Sequence, residues 1–61
     1  MRTQRFSSRA AAERHLAEAG FDFLGAPSRW RKIIDGRAYY ADVVVRGDAA
    51  VVVYTESSAT G

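Results

Sequence analysis

Asp35-Gly36 stands between two runs of alternating apolar and polar residues, and it constrains this chain more than any other feature. A two-residue turn of that composition joins antiparallel strands, because both residues tolerate the positive φ that a type I′ turn demands. Strands over Arg29–Ile34 and Arg37–Arg46 follow. Gly47-Asp48 repeats the signal and adds a third strand over residues 49–55.

Two-residue loops also set register. Ile34 opposite Arg37 brings Trp30 opposite Ala41. Arg46 opposite Ala49 brings Val43 opposite Val52 and Ala41 opposite Tyr54. Side chains alternate between the faces of a strand, so the sheet divides into two sets. One face carries Trp30, Lys32, Ile34, Tyr39, Ala41, Val43, Val45, Val52 and Tyr54. The other carries Arg29, Arg31, Ile33, Tyr40, Asp42, Val44, Arg46, Val51, Val53 and Thr55. The first set is the more aromatic and is expected to meet a helix. A three-residue first loop would move Trp30 to the other face.

The helix comes from the segment SRAAAERHLAEAG, residues 8–20, which is rich in strong helix formers. Ser7 or Ser8 can cap its first turn. Ala12, Leu16 and Ala19 recur at helical spacing with His15 at the stripe's edge, and Arg9, Glu13, Arg14 and Glu18 lie on the wetter side. Gly20 suits the left-handed residue that ends a helix, with Phe21 packing back on Leu16. Residues 21–24 form a short strand or an extended crossing, and Gly25-Ala26-Pro27-Ser28 is a turn cluster. The first residues are polar and expected to be loose, with Phe6 the first anchor. The expected fold is α+β: one N-terminal helix packed on a three-stranded antiparallel meander, or four-stranded if residues 21–24 pair, as a two-layer sandwich. It is a single domain over 1–61, with an ordered core over 6–55 and a polar tail over 56–61.

Length makes that core marginal. A chain of 61 residues buries only about 60% of the surface its unfolded form exposes, and with no cysteine no disulfide supplements it. Association with another chain is one way to compensate. No apolar run approaches the roughly 20 residues of a membrane span, and MRTQRF lacks the apolar region of a signal peptide, so a cytoplasmic location is expected.

The second sheet face departs from the usual solvated pattern. It keeps Ile33, Tyr40, Val44, Val51 and Val53 where polar residues are normal, ringed by Arg29, Arg31, Arg46 and Asp42. An apolar centre inside a charged rim is how interaction patches are built. Strand propensity of β-branched residues is the plainer account of the same valines. The partner-binding candidates are Arg29, Arg31, Tyr40, Val44, Arg46 and Val51.

Other chemistries find few residues. His15 is the only histidine and sits among alanines, with no nucleophile elbow, glycine-rich phosphate loop or dinucleotide fingerprint in the chain. Asp22, Asp35, Asp42 and Asp48 are scattered, and Asp42 can pair with Arg29 across the hairpin. No catalytic, cofactor or metal site is expected, and the chain reads as a non-enzyme. Nine Lys and Arg against seven Asp and Glu leave a net charge of +2, too weak for a polyelectrolyte binder and of the wrong sign for a nucleic-acid mimic. Eight of the nine basic residues are Arg, suited to carboxylate or phosphate. The alternative to a protein partner is RNA or single-stranded DNA. Arg29, Arg31, Lys32, Arg37 and Arg46 interleave with Trp30, Tyr39 and Tyr40 on or beside one hairpin, although period two spreads them over both faces.

The order SRAAAERHLAEAGF, a lone Trp30, DGRAYYADVVV and a short hairpin resembles small phage and prophage proteins of α-β-β-β build, among them anti-CRISPR inhibitors. That resemblance implies steric blockade of a CRISPR–Cas subunit or complex in a host cytoplasm. It carries over no site residues. Homodimerisation is a further expectation for so small a chain. The helix ending Leu16-Ala17-Glu18-Ala19-Gly20-Phe21 is similar to that of small toxin endoribonucleases with a double-stranded-RNA-binding core. Those enzymes need a glycine-serine-histidine step on the first strand, where this chain reads Pro27-Ser28-Arg29-Trp30. The catalytic group is therefore missing, and an inactive RNA-binding relative is what that likeness would imply.

Overall fold

The computed structural model describes residues 2–57. Elements follow in the order β1 (Arg2–Phe6), α1 (Arg9–Glu18), β2 (Asp22–Gly25), β3 (Arg29–Ile34), β4 (Arg37–Arg46) and β5 (Ala49–Ser57). The strands form one antiparallel sheet in the order β1-β5-β4-β3-β2, with α1 against one face. The fold is α+β, but with five strands rather than three or four. The residues expected to be loose form β1, an edge strand that pairs Phe6 with Ala50 and Arg2 with Tyr54. Residues 21–24 contribute β2, the other edge. Glu56 and Ser57, read from sequence as the start of the polar tail, continue β5 opposite Tyr39 and Ala38. Residues 58–61 of that tail lie outside the described residues.

Both hairpins have the expected register, Trp30 opposite Ala41 and Val43 opposite Val52. Asp35 and Gly36 both take positive φ, 51° and 78°, as a type I′ turn requires. At the second hairpin only Gly47 does, the pattern of a II′ turn.

Ser8 caps α1, its Oγ accepting from the Ala11 N–H at 3.1 Å. The helix closes as a Schellman turn. The Phe21 N–H donates to the Leu16 carbonyl, the Gly20 N–H donates to Ala17, and Gly20 has φ 94°. Lys32 on β3 adds a donor from its Nζ to the Ala19 carbonyl at 2.5 Å, satisfying the end of the helix from the sheet.

The core lies between α1 and the inner sheet face. Ala12, Leu16, Ala41, Ala50 and Val52 are fully buried, Trp30 and Val43 nearly so, and Phe6, Phe21 and Tyr54 pack around them. Alanines from helix and sheet let the two layers approach closely. Helix length then sets what the core covers. Ten helical residues span about 15 Å, while the ten residues of β4 extend about 34 Å. The inner face is therefore bare beyond both helix ends: Val45 is 53% exposed at one and Ile34 43% at the other. The molecule is correspondingly elongated, 38 × 20 × 18 Å.

Candidate functional site

Period two puts all six candidate residues, Arg29, Arg31, Tyr40, Val44, Arg46 and Val51, on the outer face of the sheet. The helix is on the other side, so no described element covers them. They fall into two groups along the face. At the hairpin end, Val44, Arg46 and Val51 line an open depression of ≈ 310 Å³ together with Val53 and Arg5. Val44 is 39% exposed there. At the β3 side, the Arg29 guanidinium lies 5.0 Å from the centre of the Tyr40 ring, and its Nε is 3.9 Å from Asp42 Oδ1. Arg29 is thus engaged within the sheet. Arg31 stands exposed between Tyr40 and Asp22 in the register. Ile33, 61% exposed, extends the apolar surface to the next row.

Arg5 joins this surface only through the fold. The signal for it was absent, because RTQRF has no apolar alternation from which to read a strand. Once β1 pairs with β5, Arg5 faces Val51 and joins the rim. Among the described residues Arg5, Arg31 and Arg46 form no salt bridge, so the rim keeps a net positive character.

The basic-aromatic set that would grip nucleic acid is divided by the fold. Trp30 is 9% exposed on the inner face, its ring edge-on to Phe23 at 5.2 Å. Its Nε1–H donates to Ser28 Oγ at 2.9 Å, and the Ser28 hydroxyl donates to Glu13 Oε2 at 2.7 Å. Arg9 donates to the same carboxylate and, at 2.6 Å, to the Pro27 carbonyl. Glu13, assigned by the helical pattern to the wetter side, is instead half-buried against the loop before β3. The Ser28 hydroxyl holds its carboxyl below the usual carboxylate range, against a smaller opposing effect of burial and with help from Arg9. Lys32 is also on the inner face, 5.6 Å from the Phe21 ring centre. Trp30 and Lys32 are therefore turned away from Arg29, Arg31 and Tyr40.

A second concavity lies on the inner face past the end of α1, a cleft of ≈ 700 Å³. His15 borders it, exposed and tilted against Phe6 at 5.1 Å. Among the described residues no group of three or more His, Cys, Asp or Glu could hold a metal ion, and no helix is long and apolar enough to cross a membrane. No family model matches the chain, and neither does any curated protein or solved structure.

Proposed function

We propose that the protein is a non-catalytic protein-binding module that docks the outer face of its sheet on an acidic protein surface. The observation that carries this reading is the uncovered patch of Tyr40, Val44, Val51 and Val53 inside a rim of Arg5, Arg31 and Arg46. The whole face is on the order of 700 Å², close to the roughly 800 Å² per partner of a standard interface. Desolvating the apolar centre supplies affinity, and the rim steers a negatively charged partner. A second copy of the chain is a poor occupant, since face-to-face pairing opposes one arginine rim to another.

Within this reading, the resemblance to anti-CRISPR inhibitors puts a CRISPR–Cas subunit first among partners to test. A cationic rim would engage an acidic part of such a subunit, not its nucleic-acid channel. The test compares capture of a partner by the wild-type chain, by Val44→Asp, and by the Arg31→Glu/Arg46→Glu pair. Val44→Asp abolishes capture, and the charge reversal weakens it with the circular-dichroism melt unchanged, because exposed charges contribute little to stability. Normal capture by both variants contradicts the assignment. A partner released steeply between low and moderate salt and destroyed by nuclease favours nucleic acid instead.

A further inference from the structure

The inner cleft is built differently from the outer face. Its floor is aromatic: Tyr39 on β4 and Tyr54 on β5, with Phe21 tilted against Tyr54 at a centroid distance of 6.3 Å. Cations stand at the edges. Arg2 enters from β1, opposite Tyr54 in the register, and Lys32 from β3, opposite Tyr39. Lys32 is pre-positioned by its bond to the Ala19 carbonyl, which uses one of three ammonium donors and leaves the charge in place. The Tyr54 hydroxyl is fixed by donating to Gln4 Oε1 at 2.9 Å. Among the described residues Glu56 is the one acidic group on the lining, outnumbered by Arg2 and Lys32. At ≈ 700 Å³ the cleft falls within the range of about 300–1,000 Å³ typical of small-ligand sites.

We propose that this cleft binds a nucleoside monophosphate unit, the base lying against the Tyr39 and Tyr54 rings, the phosphate meeting Arg2 at one edge, and the Lys32 ammonium facing the base from the other edge. Two observations carry it: half-buried aromatic rings that, among the described elements, the ten-residue helix stops short of covering, and a cation at each of two opposite edges of those rings. Aromatic faces accept any base by stacking, and the Arg2 guanidinium complements the phosphate. The unit could be a free nucleotide or the end of a strand. Tyr40 and Thr55 of the outer face reach the cleft's margin, but Val44, Arg46 and Val51 lie across the sheet and outside its lining.

Titration of the isotope-labelled full chain with adenosine 5′-monophosphate, adenosine, inorganic phosphate and a short single-stranded oligonucleotide tests it by amide chemical shifts. The monophosphate is expected to give saturable shifts at Tyr39, Tyr54 and Lys32 at up to millimolar concentration, and more tightly than adenosine or phosphate alone. Tighter binding of the oligonucleotide at the same residues identifies a strand end as the source, and otherwise the free nucleotide is. Tyr39→Leu, which keeps apolar bulk in the strand, and Arg2→Ala, at an exposed position, each weaken binding at least about fivefold. Val44→Asp leaves it unchanged. Absence of saturation, equal binding of phosphate alone or adenosine alone, or insensitivity to both Arg2→Ala and Tyr39→Leu overturns the proposal.

Discussion

Trp30 is the residue on which the small core turns. Its ring lies beneath the helix, and its N–H is the first link of a chain running through Ser28 to Glu13 and Arg9. Trp30→Ala is expected to cost about 3 kcal/mol or more, most of what a domain of this size has in reserve. Ser28 is 2% exposed and fully occupied, so Ser28→Ala strands the indole donor and costs about 1–3 kcal/mol. Chemical denaturation of both variants measures these losses, and a Trp30→Ala protein with unchanged midpoint contradicts the core assignment. Glu13 adds a pH dependence. Its folded pKa lies below the unfolded one, so its contribution is full above the unfolded value of about 4.3 and is lost as pH falls through the folded value. Melting temperature in wild type should therefore fall more steeply on acidification than in Glu13→Gln. Parallel curves would show that the carboxylate bonds do not favour the folded state.

At the scale of elements, the parts legible in sequence are those whose signals are local. Asp35-Gly36 and Gly47-Asp48 fix loop length, loop length fixes register, and register assigns every side chain of the three long strands to a face. Ser8 and Gly20 mark the ends of the helix for equally local reasons. The elements without such signals depend on distant partners. Arg2–Phe6 is polar at four of five positions and becomes a strand because β5 offers it an edge. Glu56 and Ser57 stay in β5 because β4 continues opposite them. Glu13 is drawn inward by a serine that sequence pattern places only in a turn. The outer-face candidates were legible through alternation alone, whereas Arg5 and the inner cleft needed β1 and the length of the helix. The helix stop itself is testable. Gly20 has open room, since an added Cβ would meet Lys32 Cε at an ordinary 3.6 Å. The cost of Gly20→Ala is therefore conformational, about 1 kcal/mol, from forcing a side chain to φ 94°. A thermal melt that does not move would contradict the Schellman geometry.

For the molecule as a whole, one helix cannot cover both sides of a five-stranded sheet. The inner side receives it and forms the core; the outer side keeps valines and a tyrosine within an arginine rim. Val44 and Val45 provide a matched pair for testing what this face does. They are neighbours in β4, 39% and 53% exposed, and they lie on opposite faces of the sheet. The most direct measurement places a photo-crosslinking amino acid at one position or the other and irradiates the protein in the cell that makes it. An adduct is expected from position 44 and none from position 45. That adduct is destroyed by protease, resistant to nuclease, and diminished when Arg31 and Arg46 are reversed to Glu. Equal adducts from both positions, a nuclease-sensitive adduct, or no adduct from position 44 would contradict a protein-docking role for the outer face.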